Sequence, residues 1–290
     1  MVKIIEKTKI WFSISLAIIL IGLALMITKG LNFGIDFKGG TKLVVEFGKD
    51  FNKVEVDEIV KSYDKDSVTK TIDSTQYEIK SKDLDETKTD ELIKELKEKY
   101  ELADDCLVSQ SLIGPSVGKE LTRNAIIALV VACIAMMIYI AIRFELSFGL
   151  AALIALAHDV LLTLAVYAVF NIPINTSFIA AILTIVGYSI NDTIVVFDRI
   201  RENNKSMRRS NPVEVANKSI YQTLARSINT SLTTLIVISA VNIFVPTIRE
   251  FSFPLLVGIA GGAYSSIFIA APIWVIIIKW KNKREKTAIN

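Results

Sequence analysis

The 290-residue chain combines an apolar content of 52% and a mean hydropathy of +0.46 with a charged fraction of 22%, so its charge must be segregated from its apolar mass, which excludes an ordinary soluble domain. The net charge of +3 gives no reason to expect a nucleic-acid partner. Two cysteines in different segments, Cys106 and Cys133, and a single histidine exclude a disulfide framework and a Cys/His metal cluster.

Six apolar runs predict six transmembrane helices, because a spanning helix needs about 20 apolar residues at a rise of about 1.5 Å each. Four of the runs hold no charged residue, the third holds only His158 and Asp159, and the fourth holds only Asp192. The predicted helices are 10–27, 124–142, 146–170, 172–197, 227–247 and 251–278.

The first run follows Lys3, Lys7 and Lys9, a pattern that also occurs in signal peptides. The run is longer than the usual apolar core of a signal peptide, and no Ala-x-Ala-like cleavage site follows it. We therefore expect residues 1–28 to form a cytoplasmic N-terminus and a retained membrane anchor.

Residues 29–123 form a polar insert of net charge −5, with 21 acidic and 16 basic residues. Alternating apolar residues predict strands at 42–47, 67–72, 76–80 and 106–112, and helical spacing predicts helices at 53–63 and 86–100. The order β-α-β-β-α-β predicts a small α+β ferredoxin-like domain between helices 1 and 2. Helices 2 to 6 then form one block, 124–278.

Basic residues predict which side of the membrane each connection faces. Sixteen lie in the N-terminal segment, the link after helix 2, the loop 198–226 and the tail 279–290, whereas the short opposite links hold only Arg249. We therefore expect both termini and the loop to be cytoplasmic, and the 29–123 domain to be extracytoplasmic. The basic residues of the loop are Arg199, Arg201, Lys205, Arg208, Arg209, Lys218 and Arg226.

Helix 4 carries a carboxylate, Asp192, well inside its apolar run, on a polar face with Thr184, Tyr188 and Asn191. An Asp at the centre of a membrane helix costs about 2.5 to 3.5 kcal/mol to insert and faces the bundle interior or water. Arg226, at the start of helix 5, lies at a depth that permits contact. A carboxylate held by an arginine can bind and release a proton as the arginine moves. We interpret the pair as a proton relay; the alternative is a static pair that fixes helix packing.

Further candidates for the relay are Asp159 and His158 on helix 3 and Asn191 beside Asp192. A histidine next to an acid near a helix end is also common as a purely structural pair. We expect Asp192, Arg226 and Asp159 to line one interior polar path.

Helix 6 repeats small residues every four positions, at Gly258, Gly262 and Ser266 and again at Gly261 and Ser265. Such spacing lets helix backbones approach closely, and smooth faces also permit sliding. The chain has no P-loop, HExxH or GxSxG motif, so we expect no enzymatic activity, no metal and no cofactor, with any energy drawn from an ion gradient.

Six stretches together carry a resemblance to a known family. They are FGIDFKGGT (33–41), GPSVGKEL (114–121), AHD (157–159), GYSINDTIVVFDRIREN (187–203), QTLARSINTSLTT (222–234) and PLLVGIAGGAYSSIFIAAPIW (254–274). In this order they make nearly the whole chain resemble the SecF family, whose architecture is half of an RND-type transporter. The first stretch supplies the extracytoplasmic motif residues Gly34, Asp36, Phe37, Gly39 and Gly40.

The resemblance implies a subunit of the bacterial cytoplasmic membrane that works with SecD. The complex would use the proton-motive force to help complete the export of proteins emerging from the SecYEG channel, with protons as the coupling ion. It also implies YajC, the unfolded exported polypeptide and membrane lipid as contacts. The family's proton-relay positions fall on Asp192 and Arg226.

Two other functions stay open. A proton-coupled RND-type half-transporter that exports a small molecule or a lipid would share the architecture and the intramembrane acid, although the 29–123 domain is small for such an exporter. A passive assembly factor would need Asp192 only for stability.

Overall fold

The computed structural model describes residues 3–72, 74–207 and 210–289, so Arg208 and Arg209 of the basic loop lie outside the described residues. The chain divides into two compact units. The first, which we call the membrane unit, comprises residues 1–31, 129–172 and 177–290. The second, which we call the sheet unit, comprises residues 32–128 and 173–176. Each unit has its own hydrophobic core.

The sheet unit follows helix α1 (Thr8–Lys29) and has the predicted ferredoxin-like fold. Its elements are α2 (Ile35–Lys38), β1 (Gly40–Glu46), α3 (Lys53–Tyr63), β2 (Val68–Thr71), β3 (Gln76–Ser81), α4 (Glu86–Tyr100) and β4 (Leu107–Ile113). The four strands pair antiparallel in the order β2-β3-β1-β4. The one-turn helix α2 was not predicted from the sequence, and the helix predicted to begin at residue 124 already begins at Pro115.

Local side-chain chemistry explains where the two long helices of this unit begin. The Asn52 side chain accepts a hydrogen bond from the backbone N–H of Val54 and caps α3, and Asp85 caps α4 in the same way. An N-cap of this kind contributes about 1 kcal/mol. The apolar faces of both helices then pack on one face of the sheet, where Leu43, Val45, Ile79, Leu92 and Leu96 are fully buried.

Glu78 on β3 is buried between two lysines. Its carboxylate oxygens lie 2.8 Å from Lys42 Nζ and 2.9 Å from Lys80 Nζ. Burial raises the pKa of Glu78, but the charge of Lys80 and the hydrogen bonds from both lysines outweigh burial, so the pKa lies below its ordinary value of 4.5. Glu78 is therefore charged at neutral pH and stabilises the sheet in that form.

Six helical spans are long and apolar enough to cross a membrane, which confirms the predicted number. After α1 they are α5 (Pro115–Arg143), α6 (Leu146–Val169), α7 (Thr176–Ser206), α8 (Pro212–Phe244) and a last span of α9 (Arg249–Ser265) and α10 (Ala271–Ile289). The π-helical turn Ser266–Ala270 joins α9 to α10. The chain is therefore a multi-pass membrane protein.

The predicted basic loop 198–226 is mostly helical instead. Helix α7 continues to Ser206, and α8 already begins at Pro212 behind an Asn211 N-cap. No Gly or Pro interrupts the end of α7, and its Arg, Glu and Lys residues favour helix. Hydropathy therefore located only the apolar parts of these two helices.

Helices α6, α7 and the α9–α10 span form the centre of the membrane unit. Half or more of the most apolar window of each is buried (56%, 50% and 67%), against 11% or less in α1, α5 and α8. The rings of Phe148 and Trp274 stack in this core with centroids 5.2 Å apart. The outer helices therefore present apolar surface that suits lipid or a partner helix bundle.

Candidate functional site

Helix α7 places Asp192 inside the membrane unit, where its side chain is only 5% exposed. Its Oδ1 accepts a hydrogen bond of 2.8 Å from Ser227 Oγ on α8. Its Oδ2 is buried and has no hydrogen-bond partner among the described residues. A buried carboxylate with one unsatisfied oxygen is costly, and inside membrane spans such groups mark functional sites. Asp192 is therefore a candidate proton-binding group.

Arg226 lies at the surface of the membrane unit, not in the interior path that the sequence suggested. Within the described part of the chain, no ion pair of 4.0 Å or less joins Arg226 to Asp192. Instead, the next residue, Ser227, contacts the carboxylate directly. Arg226 directly precedes Ser227, which keeps the arginine in the neighbourhood of the carboxylate. The direct Asp192–Arg226 contact considered from the sequence is absent from these described residues, and a serine hydroxyl takes its place.

Asp159 on α6 occupies a second buried polar site, where its side chain is fully inaccessible. Oδ2 accepts hydrogen bonds from Ser189 Oγ of α7 at 2.5 Å and from Ser265 Oγ of α9 at 2.7 Å. Oδ1 lies 2.9 Å from Nδ1 of His158, whose buried Nε2 has no partner among the described residues. The carboxylate therefore joins three helices of the bundle centre.

The two carboxylates are linked through α7. Ser189, which binds Asp159, precedes Asp192 by three residues, and positions three apart are neighbours on a helix surface. One turn of α7 thus carries Asp192 and also binds Asp159 through Ser189. A shift of this turn would change the surroundings of both groups together.

Asn191, the residue before Asp192, lies at the surface of the membrane unit instead of inside it. With Thr184 and Gly187 it forms an exposed polar and small face within a membrane span, and Asn229 and Thr233 continue this face on α8. Tyr188 joins the two helices by donating a hydrogen bond of 2.6 Å to the backbone oxygen of residue 230. Polar groups in spans face protein or water rather than lipid, so this polar face suits a partner.

The small residues of α9 lie where this helix closely approaches α6 and α7, as their spacing predicts. A Cβ atom on Gly258 would lie 2.2 Å from Ile185 Cδ1, and one on Gly262 would lie 2.9 Å from Ser189 Cβ. Gly261 instead faces Leu162 of α6, with 2.4 Å to its Cδ2. Larger side chains at these positions would push α9 away from α6 and α7.

Two consecutive serines, the last residue of α9 and the first of the π-helical turn, point into the bundle. Ser265 donates to Asp159, while Ser266 lies 2.8 Å from the hydroxyl of Thr193 on α7. Adjacent residues of an α-helix point about 100° apart, and π turns occur often at functional sites. The turn therefore lets α9 contact α6 and α7 through polar groups at one level.

The motif residues 33–41, which we call the GG segment, lie in the sheet unit. Gly39 and Gly40 have φ angles of 80° and 139°, which only glycine adopts readily, and they turn the chain into β1. The Asp36 carboxylate accepts hydrogen bonds from both the backbone N–H and the hydroxyl of Thr176, the first residue of α7. The backbone oxygen of Phe37 closely approaches Gly118 of α5.

Sequence reasoning missed the hydroxyl groups that complete both acid sites. Ser189, Ser227 and Ser265 each donate to a buried carboxylate. The available signal was the spacing of Ser189 from Asp192 and the position of Ser227 beside Arg226. In the described ranges, no group of three or more His, Cys, Asp or Glu side chains could hold a metal ion.

Two family models match this chain. Residues 92–280 match the model described as protein export membrane protein SecD/SecF, C-terminal, and residues 24–50 match the SecD/SecF GG motif. The second match covers the GG segment. Together the two matches include both acid sites and the contact of Asp36 with Thr176.

Individual relatives agree with these matches. The chain is 38% identical over 294 residues to the protein translocase subunit SecF of Sebaldella termitidis, covering 98% of this chain and 95% of the relative. It is 36% identical to the protein translocase subunit SecDF of Bacillus subtilis, covering 97% of this chain and 38% of that protein. The crystal structure of SecDF from Thermus thermophilus, a translocon-associated membrane protein, superposes with a TM-score of 0.84 at 32% identity, covering 96% of this chain and 38% of that one. The chain thus spans well under half of each SecDF protein.

Proposed function

The chain belongs to the SecD/SecF family of protein export membrane proteins, and we propose that it couples proton entry to protein export. A role in protein export follows from the family. The proton coupling is supported above all by one observation, the buried Asp192 whose second carboxylate oxygen has no partner among the described residues.

The proposed cycle begins when a proton binds Asp192. Neutralising the carboxylate weakens its hydrogen bond with Ser227 and its attraction to Arg226, because both interactions favour the charged form. Helices α7 and α8 can then shift relative to each other. Release of the proton on the other side restores the charge and the original arrangement.

The energy of one proton is sufficient for such a shift. A charge that moves down 100 mV releases about 2.3 kcal/mol. This amount changes the ratio of two helix arrangements roughly fiftyfold. It is too small to move a whole polypeptide in one step, so export requires repeated cycles.

SecD is the expected partner, because relatives such as the Bacillus subtilis protein carry the SecD and SecF names in one chain. We propose that its helix bundle covers the exposed polar face around Asn191 and Asn229. The SecYEG channel, YajC and the unfolded exported polypeptide are further proposed contacts. The distribution of basic residues supports a cytoplasmic-membrane location with both termini in the cytoplasm.

Asp159 and His158 remain candidates for the same relay. The Asp159 carboxylate accepts from two serines and lies beside a histidine, so it holds α6, α7 and α9 together in the arrangement described. We propose that it senses the state of Asp192 through Ser189, one turn away on α7.

An export assay in vesicles tests this function. The vesicles contain the complex with SecD and the Sec channel, and a proton gradient is imposed after the ATP-driven phase. We expect Asp192→Asn to lose the stimulation by the gradient while it still co-purifies with SecD. Asp198→Asn, on the same helix but beside Arg201, serves as the matched control and should keep the stimulation.

Normal gradient-stimulated export by Asp192→Asn at equal protein level would rule out the proposed role. A passive assembly factor predicts another result, in which Asp192→Asn lowers the yield of the complex and the export per complex stays the same.

A further inference from the structure

The GG segment lies outside the proton site, yet it holds the first turn of the helix that carries Asp192. We propose that Asp36 is a positioning residue that caps α7 and thereby couples the state of that helix to strand β1 of the sheet unit. The inference rests on the proposed role of Asp192 and adds the route by which its state reaches the sheet unit.

The cap has unusual connectivity. Asp36 Oδ2 accepts hydrogen bonds of 2.8 Å from the backbone N–H of Thr176 and 2.7 Å from its hydroxyl. The first N–H groups of a helix have no partner within the helix, and a carboxylate there also interacts favourably with the helix dipole. Caps usually come from the residue just before the helix, whereas this one comes from 140 positions earlier in the chain. Both residues belong to the sheet unit.

Backbone contacts fix the GG segment against the approach to α7. Gly34 donates its N–H to the oxygen of Ile174 at 2.9 Å, and Ile174 donates to the oxygen of Asn32 at 2.7 Å. A Cβ atom on Gly34 would lie 1.6 Å from Asn175 Oδ1 and 3.2 Å from the oxygen of Ile174, so a side chain here would have to displace the Asn175 amide. Three successive anchor points therefore hold residues 32–36 on residues 174–176.

The path from the cap to the strand is short and conformationally restricted. Three residues separate Asp36 from Gly40, the first residue of β1. Gly39 and Gly40 both have positive φ angles, and a Cβ on Gly40 would lie 2.5 Å from the oxygen of Ser81 on β3. The close packing of Gly40 against Ser81 and Ile35, together with the shortness of the connection, therefore leaves little room to absorb a displacement at Asp36 before it reaches the sheet.

Helix α7 supplies the other part of the route. It runs without interruption from Thr176 to Ser206, and Asp192 lies 16 residues after Thr176, about 24 Å along the axis. A continuous helix moves largely as a rigid body. Displacement of α7 at Asp192 therefore reaches its capped first turn and, through the Asp36 carboxylate, the start of β1.

Hydrogen exchange on the complex with SecD in vesicles tests this route. Exchange is measured at the first turn of α7 (176–180) and at β1 (40–46), with and without Asp192→Asn, in three backgrounds: wild type, Asp36→Ala and the control Asp50→Asn. Asp50 is an exposed acid of the same unit, outside the GG segment.

We expect Asp36→Ala to raise exchange in the first turn of α7 about threefold to tenfold, the usual effect of losing a helix cap. Asp192→Asn should change exchange in β1 in the wild-type and Asp50→Asn backgrounds, and this response should disappear with Asp36→Ala. Thr176→Val, which removes only the hydroxyl donor, should reduce the response partly, and Thr176→Ser, which keeps both donors, should preserve it.

A β1 response to Asp192→Asn that is absent in wild type, or that persists unchanged with both Asp36→Ala and Thr176→Val, would overturn the inference. Neither outcome requires export to be measured. The export assay with Asp192→Asn can therefore fail or succeed independently of this result.

Discussion

Asp192 and Asp159 are both buried carboxylates of one helix bundle, but their partners differ. Asp159 receives hydrogen bonds from Ser189 and Ser265 and lies beside His158, whereas Asp192 has one serine donor and an unsatisfied oxygen. A carboxylate whose oxygens are all hydrogen-bonded stabilises one arrangement of the helices. Protonation of a carboxylate with an unsatisfied oxygen changes the free energy of that arrangement. This difference is why we assign the proton-binding role to Asp192.

Removal of one hydroxyl at Asp159 should destabilise the membrane unit. Ser265→Ala leaves the buried carboxylate with one donor fewer, which costs about 1 to 3 kcal/mol. Thermal unfolding of the purified complex in detergent measures this as a lower Tm. Ser239→Ala on α8, at a half-buried serine, is the control and should leave the Tm nearly unchanged. Equal Tm values for the two variants would contradict a bonded role for Ser265.

Glu78 gives the sheet unit a defined response to acid. Because the folded-state pKa of Glu78 lies below its ordinary value of 4.5, its ion pairs contribute stability above that pH. The contribution is lost as the pH falls from about 4.5 through the lower folded-state pKa. Glu78→Gln should therefore destabilise the sheet unit at pH 7 and have no effect on its stability in acid.

The ratio of β3 amide exchange rates in Glu78→Gln and wild type, taken at each pH, tests this response. We expect a ratio well above one at pH 7 that approaches one as the pH falls below 4.5 and through the lower folded-state pKa. Glu98→Gln removes an exposed pair with Lys94 at 4.0 Å and should give a ratio near one throughout. A Glu78→Gln ratio that is independent of pH would show that the ion pairs do not stabilise the sheet.

At the scale of elements, α9 determines how closely the bundle centre packs. Gly258 and Gly262 bring its backbone against α7, and the π turn that follows supplies Ser266 to the same helix. Because Gly258 and Gly262 have no side chain, Ile185 and Ser189 of α7 lie directly against the backbone of α9. These features suit an element that must accommodate a shift of α7.

Gly258→Ala should destabilise the membrane unit by about 1 to 3 kcal/mol, because its Cβ would overlap Ile185. The cost should be smaller when Ile185→Ala is also present, so the two changes are not additive. Thermal unfolding of wild type, the two single variants and the double variant gives the coupling free energy between the two positions. Gly149→Ala is the control, since its Cβ would lie at an ordinary 3.5 Å from Ile140. If the effects of Gly258→Ala and Ile185→Ala were fully additive, the cost of Gly258→Ala would not come from its contact with Ile185.

Much of the element order was predictable from periodicity. The helices expected at 53–63 and 86–100 have those bounds in α3 and α4, because each has a side-chain cap and a regular apolar face. The segment 198–226, expected to be a loop, is mostly helical, since hydropathy does not detect a helix that continues beyond the apolar region. The π turn after Ser265 has no signature that a periodic pattern would show.

The candidate site was predictable only in part, for a physical reason. A carboxylate in an apolar run is visible from the sequence, so Asp192 and Asp159 could be selected. Their partners come from other helices, as Ser227 and Ser265 do, and a single sequence does not show which helices are neighbours. The same applies to the contact of Asp36 with Thr176 across 140 positions.

At the scale of the whole molecule, the chain corresponds to one part of a larger assembly. It spans 38% of the Thermus thermophilus SecDF chain, and its outer helices and polar face leave surface for another helix bundle. Under the proposed function, a complete proton path includes the SecD partner. The central claim, that Asp192 carries the proton, must be tested on the complex with SecD.

Proton flux through that complex is the most direct measurement. Vesicles that contain the complex and an internal pH-sensitive dye are given a proton gradient while an exported polypeptide occupies the Sec channel. We predict faster internal acidification for wild type than for empty vesicles, and a return to the empty-vesicle rate for Asp192→Asn with the same amount of complex. Wild-type flux through Asp192→Asn would contradict the claim.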